Sequence, residues 1–298
     1  MSRVLVTGAS GFIGRRALAP LLLAGHEVHA VARTPPAVPP AGVAWHAADL
    51  LAPGAPAAVV GAARPTHLLH LAWYAEHGRF WTSPENVRWV EASLALLRAF
   101  ADAGGERAVL AGTVAEYDWT HGLCSESETP LIPATLYGVA KDALRRVAAA
   151  AAAEAGVTLA WGRVFFVYGP GEHPDRLVAS VARALVEERP VLTSSGAQVR
   201  DFLHVEDVAG AFAALVDAAV TGPVNVASGE PVAVRDLVRA LAELAGRPDL
   251  PRPGALADRP GEPPLLVADV RRLREEVGFT PRRSLEEGLR DTLASWRP

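Results

Sequence analysis

A glycine-rich turn near the start of the chain constrains the fold most. The first residues read "RVLVTGASGFIG", in which a short apolar segment is followed by regularly spaced glycines and then by a helical pattern. Glycines at such a turn let the backbone bend sharply and let a pyrophosphate approach the N–H groups at the helix N-terminus. The spacing alone is weak evidence, because a tight turn without a ligand has the same pattern. Its place between a strand and a helix predicts a dinucleotide site that includes Gly8, Ser10, Gly11, Phe12, Ile13 and Gly14.

Short apolar runs alternate with longer helical patterns through the first half of the chain, for example "RVLVTG", "RRALAPLLLAG", "EVHAVAR", "HLLHLAW" and "RAVLAGT". This alternation predicts an α/β fold with a Rossmann-type, doubly wound parallel sheet. Pro and Gly become denser after "LAWGRVFFVYGPG". We expect residues 1–165 to form an NAD(P)-binding Rossmann domain to which 201–228 return, and residues 166–298 to form mainly a smaller C-terminal substrate-binding lobe. The segment 246–264 is interpreted as a loop that covers a ligand.

Charge and cysteine content exclude several classes of function. The formal net charge is -4 and the pI is about 6.2, so there is no excess of cations to follow a nucleic acid backbone or an anionic membrane. The single cysteine, Cys124, permits no disulfide within the chain and no Cys-based zinc cluster. The chain enters a strand pattern at once, without the features of a signal peptide. We expect a cytoplasmic protein without a metal, nucleic acid or membrane partner.

An arginine stands where the second predicted strand ends. Many dinucleotide-binding folds carry an acid at this place that binds the adenosine ribose, whereas "EVHAVARTPP" has Ala32 and Arg33. A guanidinium suits the 2′-phosphate of NADP, and we expect Arg15 and Arg16 near the same end of the adenosine. The alternative is a solvated surface arginine. A charge-assisted hydrogen bond contributes about 1.5–3 kcal/mol, so we predict that NADP(H) is preferred and that NAD(H) can still bind.

Three residues form a candidate acid–base site. Tyr137 and Lys141 in "TLYGVAKDALRR" are four residues apart, so they share one face of a predicted helix. A tyrosine with a pKa near 10 exchanges protons poorly at neutral pH unless a cation stabilises its phenolate, and Lys141 can supply that cation. Thr113 ends the strand pattern "RAVLAGT", where its hydroxyl can hold a carbonyl oxygen or cap the next turn. Together with the glycine-rich turn, the three predict catalysis at a carbonyl group.

A series of motifs extends along the chain in the order "TGASGFIG", "HLAW", "ENV", "LYGVAK", "VYGPGE", "VRDFLHVEDVA", "NVASGEPV" and "RPGEPP". With them the chain resembles the extended short-chain dehydrogenase/reductase family, which contains NAD(P)-dependent nucleotide-sugar epimerases, dehydratases and 4-ketoreductases. The resemblance covers nearly the whole length. It implies that Thr113, Tyr137 and Lys141 are the catalytic triad and that Lys141 also reaches the nicotinamide ribose.

The resemblance also implies binding residues. For the cofactor these are Asp49 and Leu50 at the adenine, His70, Leu71, Ala72 and Trp73 along the dinucleotide, and Asn86, which ties a neighbouring helix to the active-site strands. For a nucleotide-sugar substrate they are Arg200 and Arg259 at the diphosphate and Glu262 near the ribose. Aromatic faces pack against the apolar face of a sugar ring, so we expect a sugar pocket shaped by Trp73, Tyr74, His77 and Trp81, with Val114 and Phe166; the alternative for the aromatic residues is a loop that they anchor by their burial. Other interpretations are that Arg200 pairs with Asp201 or Glu206, that His70 is a core histidine, and that Asp207 is a helix N-cap. By analogy with the family, the helices around Asn86 and after Lys141 predict a homodimer.

The residues after Thr113 restrict the type of reaction that the protein can catalyse. Family members that eliminate water from the sugar carry Asp-Glu there, whereas Val114 and Ala115 cannot transfer a proton, so we do not expect a dehydratase. NADPH-dependent reduction of a nucleotide-linked 4-keto-(6-deoxy)sugar is favoured by Arg33, and an NAD-dependent nucleotide-sugar 4-epimerase is the alternative. A silent NADP-sensing regulator and a small-ketone reductase have less support, because the triad and both substrate arginines are present. The chain departs from the family at Phe166, where an Asn is common, and at Trp73, where a small residue is usual.

Overall fold

The computed structural model describes residues 1–297 as alternating strands and helices. The strands are β1 (Arg3–Thr7), β2 (Glu27–Ala32), β3 (Val43–Ala47), β4 (His67–His70), β5 (Arg107–Thr113), β6 (Leu123–Cys124), β7 (Thr158–Val164), β8 (Phe166–Tyr168), β9 (Val191–Leu192), β10 (Val199–His204), β11 (Gly222–Val226), β12 (Pro231–Ala233), β13 (Pro251–Arg252) and β14 (Leu265–Ala268). The helices are α1 (Gly14–Leu23), α2 (Ala55–Ala63), α3 (Glu85–Asp102), α4 (Leu136–Glu154), α5 (Leu177–Val186), α6 (Val205–Asp217), α7 (Val234–Leu244) and α8 (Leu285–Ala294). A 3₁₀ turn at Val114–Glu116 follows β5 directly.

A seven-stranded sheet forms the centre of the molecule, in the order β3-β2-β1-β4-β5-β7-β11. Every neighbouring pair in it is parallel. The strand order reverses between β1 and β4, and in such sheets the crevice at the carboxyl ends of these two strands binds ligands. The prediction of an α/β fold with a Rossmann-type parallel sheet is confirmed.

Hydrophobic cores lie on both faces of this sheet, which explains its nearly continuous apolar strands. Successive side chains of a strand point to opposite faces, so Val4 and Val6 belong to the core that contains residues of α1 and α6. Leu5 belongs to the opposite core, which contains residues of α2, α3 and α4. The side chains of Val4, Leu5 and Val6 are all fully buried. The strand that precedes the glycine-rich turn is therefore fixed from both sides.

The second sheet is smaller and mixed, in the order β12-β10-β14-β6, with β8 paired to β10. A third core, which joins α5, α7 and α8, packs beside it. The chain leaves the seven-stranded sheet after β7 and returns to it at β11. The boundaries of the two lobes stay a prediction. Within residues 1–297, none of the helices combines the length and the hydrophobicity needed to cross a membrane.

The interpretation of Asp207 as a helix N-cap is wrong. β10 runs directly into α6, so the cap falls on His204, whose Nδ1 accepts a hydrogen bond from the Glu206 backbone N–H at 3.4 Å. Asp207 lies in the first turn instead, and its carboxylate accepts the backbone N–H groups of Arg282 at 2.8 Å and Arg283 at 3.2 Å. Its role is to hold the segment that leads into α8.

Candidate functional site

The glycine-rich turn lies in the crevice between β1 and β4. A Cβ atom at Gly14 would be only 2.1 Å from the carbonyl oxygen of Gly8, so this close approach requires glycine. Leu71 and Ala72 continue β4 beside the turn, and their N–H groups donate to the Thr7 carbonyl oxygen at 3.2 Å and to its hydroxyl at 3.4 Å. The first turn of α1 has no side-chain cap and no acidic residue, so no side-chain oxygen competes there with an anionic ligand. These features fit the pyrophosphate of a dinucleotide.

Residues predicted to bind the adenosine lie at the ends of β2 and β3. Arg33 is exposed directly after β2. Asp49 is also exposed, and its carboxylate accepts the Leu51 backbone N–H at 3.1 Å, whereas Leu50 is buried. An exposed guanidinium and an exposed carboxylate thus flank this end of the crevice.

Arg15 and Arg16, which the sequence places near the same end of the adenosine, have protein partners in this structure. The guanidinium of Arg15 donates to the carbonyl oxygen of Gly171 at 3.4 Å, and that of Arg16 donates to the carbonyl oxygen of Pro170. Both side chains therefore bridge α1 to the loop after β8. Support for NADP on this side of the molecule rests on Arg33.

The first two turns of α4 pack over the end of β5. This packing requires glycine, since a Cβ atom at Gly138 would lie 2.2 Å from the Ala115 carbonyl oxygen. Lys141 is 4% exposed and its Nζ donates to the carbonyl oxygen of Ala111 in β5 at 2.8 Å. The arrangement brings together the three residues predicted to be catalytic, Thr113, Tyr137 and Lys141.

Tyr137 keeps its proton in the free protein. Exclusion of water raises the pKa of its hydroxyl to about 12, and the nearby Thr113 hydroxyl opposes that rise. Two charges have smaller effects on the pKa: the Glu116 carboxylate raises it and the Arg176 guanidinium lowers it. A protonated phenol suits a proton donor better than a base.

Lys141 is the only lysine in the chain, a signal that the sequence carries and that the sequence analysis missed. Burial lowers the pKa of its ammonium group to about 7, and the negative charge of Glu116 opposes that change. The 28 other Lys or Arg positions are therefore all arginine, which stays charged at any physiological pH. The site thus holds the one side chain of this class that can titrate near neutral pH.

Aromatic rings surround Tyr137. Its ring makes edge contacts with Phe80, Trp81 and Trp73, at centroid distances of 5.0, 5.8 and 6.5 Å. Phe80 is not among the residues predicted from the sequence. In the same loop, the Tyr74 hydroxyl donates to Glu76 at 2.7 Å and His77 stacks on His173, whose ring centroid is 5.2 Å away.

A buried ion pair beneath the site was also missed. Glu116 and Arg163 have side chains 0% and 1% exposed, and Arg163 Nε donates to Glu116 Oε2 at 2.7 Å. The same carboxylate accepts the Thr113 backbone N–H at 2.8 Å and the Trp161 indole N–H at 2.9 Å. Thr113 and Glu116 form a capping box, and its Thr-x-x-Glu spacing is visible in the sequence. The pair fixes the end of β5, where Thr113 lies.

His70 and Asn86 are fully engaged by the protein. His70 is buried with its ring nitrogens 2.6 Å from Thr7 Oγ1 and 2.8 Å from Ser93 Oγ, and burial lowers its pKa to about 3. This matches the interpretation of a neutral core histidine. The Asn86 side chain donates to the carbonyl oxygens of Phe80 at 2.7 Å and Ser83 at 2.9 Å, which ties α3 to the loop after β4.

Three predicted substrate residues meet at the second sheet. Arg200 is 4% exposed and Nη2 donates to Glu262 at 2.8 Å, while its guanidinium lies 5.5 Å from the centre of the Phe166 ring. The alternative, that Arg200 pairs with Asp201 or Glu206, is wrong. The Asp201 carboxylate accepts the backbone N–H groups of residues 228, 229 and 268. Glu206 pairs with Arg283.

Two other predicted substrate residues lie apart from that group. Arg259 is exposed in the loop before Glu262. Val114 is buried in a hydrophobic core, and its carbonyl oxygen accepts the Trp119 indole N–H at 3.0 Å. Direct contacts therefore join Arg200 with Glu262 and Phe166, whereas Arg259 and Val114 lie apart from them.

Comparison with known proteins decides the family. A sequence model described as "NAD dependent epimerase/dehydratase family" matches residues 4–227, which span both the glycine-rich turn and the Tyr-Lys pair. The chain belongs to this family. It is thus an enzyme of the NAD-dependent epimerase/dehydratase family with the short-chain dehydrogenase/reductase fold.

Individual family members differ in their reactions. A UDP-glucose 4-epimerase from Azospirillum brasilense is 31% identical over 226 residues, 68% of this chain and 64% of that enzyme, so this chain spans less than two thirds of it. A dTDP-6-deoxy-L-talose 4-dehydrogenase (NAD(P)(+)) from Kitasatospora kifunensis is 32% identical over 97% of this chain and 94% of its own. Among solved structures, MoeE5 in complex with UDP-glucuronic acid and NAD has a TM-score of 0.85 and 34% identity over 98% of both chains.

Proposed function

We propose that the protein reduces a nucleotide-linked 4-keto-(6-deoxy)sugar to the 4-hydroxy sugar with NADPH. The observation that carries the proposal is the protonated Tyr137 beside the Thr113 hydroxyl, with the buried Lys141 one turn further along α4, next to a turn that fits a dinucleotide. The residues after Thr113 are Val114 and Ala115, which have no proton to exchange, and this supports reduction over elimination.

In this mechanism each residue has one task. NADPH, when bound, supplies the hydride to C4. Thr113 Oγ1 accepts the Ala115 backbone N–H at 3.2 Å, which leaves its own O–H to donate to the substrate oxygen. Tyr137 gives its proton to that oxygen as negative charge develops there. The positive charge of Lys141 favours the phenolate that remains.

The smaller lobe would hold the nucleotide diphosphate. Arg200 uses one N–H for the Val199 carbonyl oxygen and one for Glu262, so three of its five donors remain for phosphate oxygens. Arg259 would add a second guanidinium and Glu262 a contact to the ribose. Phe166, with Trp73 and Tyr74, would contact the sugar, whereas the core position of Val114 does not suit this contact.

The second candidate is an NAD-dependent nucleotide-sugar 4-epimerase. It would use the same Tyr137 to remove and return the proton. Two observations favour it: Arg15 and Arg16 donate to the loop after β8, and the similar MoeE5 structure contains NAD. The regulator and the small-ketone reductase have no comparable support.

We further propose that 1–165 with 201–228 act as the cofactor domain and the remainder as the substrate lobe, and that the protein is a homodimer. α3 and α4 pack against each other and carry the exposed apolar side chains of Val87, Val139 and Val147. A face of this kind suits helix-on-helix association.

The test is the identity of the cofactor. Purified protein would be extracted with acid to detect retained dinucleotide and then titrated by calorimetry with NADPH and with NADH. The proposal predicts no retained cofactor and a preference for NADPH of about tenfold or more. Tightly retained NAD would contradict it and favour the epimerase.

A further inference from the structure

The indole of Trp73 covers the ammonium group of Lys141. Nζ lies 3.8 Å from the centre of the Trp73 ring, well inside the range of a cation–π contact. Tryptophan provides the strongest face for such a contact, and the attraction is greatest where water is excluded. Lys141 is 4% exposed, so this condition is met.

The Trp73 indole is itself held in place by a hydrogen bond to Asn86. Its indole N–H donates to Asn86 Oδ1 at 2.9 Å, and the Asn86 amide is bound to the carbonyl oxygens of Phe80 and Ser83. The chain of contacts from Asn86 through Trp73 to Lys141 therefore fixes the plane of the indole over Nζ.

The protein gives Lys141 little other support. Of its three N–H donors, one binds the Ala111 carbonyl oxygen. The ionisable groups around it are Glu116 from the turn after β5, His70 from β4 and Tyr137 from its own helix. Glu116 is already paired with Arg163, His70 is neutral and Tyr137 is protonated. Besides the Ala111 carbonyl oxygen, the Trp73 ring is the group in direct contact that favours the charged form.

We propose that Trp73 is a positioning residue that keeps Lys141 charged and fixed beneath Tyr137, and that Asn86 orients its indole. This gives a reason for a bulky residue where the resemblance leads us to expect a small one. The catalytic consequence rests on the proposed function, whereas the effect on Lys141 does not.

The test measures the ionisation of Lys141 directly. Because the chain has one lysine, protein labelled with ¹³C-lysine gives a single side-chain signal to follow against pH, without cofactor or substrate. We expect Trp73→Leu to lower the pKa of Lys141 by about one pH unit, since the charged form loses the ring face while an apolar side chain remains. Trp73→Phe keeps a face without the indole N–H and should give a smaller decrease.

Trp89→Leu is the matched control. The Trp89 ring packs on Trp73 at 6.1 Å and makes no cation–π contact with Lys141, so we expect no shift of the lysine pKa. An unchanged pKa in folded Trp73→Leu would overturn the proposal. So would a rise toward 10.5, because it would mean that Trp73 acts only by excluding water.

Activity provides a second, separate readout. If the protein is a reductase, the kcat of Trp73→Leu should begin to fall at a pH lower than that of the wild type by the same amount. Because Trp73 is also proposed to contact the sugar, the pH at which kcat falls is the readout rather than KM. If the lysine pKa shifts in Trp73→Leu but the wild type has no reductase activity, the positioning role is supported and the proposed function is contradicted. If the wild type is an active reductase but the lysine pKa is the same in Trp73→Leu, the proposed function is supported and the positioning role is contradicted.

Discussion

Removing Glu116 should destabilise the protein strongly. Its carboxylate and the Arg163 guanidinium are almost completely buried and 2.7 Å apart. In Glu116→Leu the guanidinium stays in the core without its counter-ion, which typically costs about 3–5 kcal/mol. The Thr113 backbone and the Trp161 indole each lose an acceptor as well. We expect a loss of at least about 3 kcal/mol in the free energy of unfolding, measured by urea denaturation with tryptophan fluorescence.

A double-mutant cycle provides the control. In Glu116→Leu with Arg163→Met both charges are replaced by apolar groups, so the penalty for an unpaired charge disappears. We expect the double variant to recover about 2 kcal/mol relative to the sum of the single variants. Additive single effects, or a cost below about 1 kcal/mol for Glu116→Leu, would refute the assignment of a buried ion pair as the anchor of Thr113.

Three further predictions concern the cofactor and the proton. Tyr137→Phe removes the proton donor and should lower kcat by a factor of about 10²–10⁴ in a steady-state assay, with NADPH affinity in calorimetry unchanged; near-normal turnover would eliminate Tyr137 as the donor. Arg33→Ala should weaken NADPH binding by about tenfold to a hundredfold in the same titration, and an equal loss for NADH would make the arginine a general surface charge. Gly14→Ala places a Cβ atom 2.1 Å from the Gly8 carbonyl oxygen and should lower both thermal stability and cofactor affinity, so wild-type values of both would contradict the close approach.

The sequence predicted the features that depend on local pattern. The glycine-rich turn, the strand–helix alternation and the four-residue spacing of Tyr137 and Lys141 are all local, and the parallel sheet follows from the alternation. The sheet in turn predicts that Thr113 lies close to Tyr137 and Lys141, because Thr113 and this pair all lie at the carboxyl edge of the parallel strands.

Contacts between distant segments could not be predicted in this way. Arg200 binds Glu262, which is 62 residues away, rather than the acids adjacent to it in the sequence. The directions of Arg15 and Arg16 depend on the path of the loop after β8. The position of Trp73 over Lys141 depends on how α4 packs against the loop after β4. Each of these contacts is set by tertiary structure, about which local sequence carries no information.

The most direct test of the proposed reaction follows one deuterium atom. NADPH deuterated at the transferred position would be incubated with a nucleotide-linked 4-keto-6-deoxysugar, and the product would be analysed by mass spectrometry. We expect one deuterium at C4 of the sugar and one NADP⁺ formed for each product molecule. Interconversion of 4-hydroxy sugars by the purified protein with no net use of NADPH would contradict it.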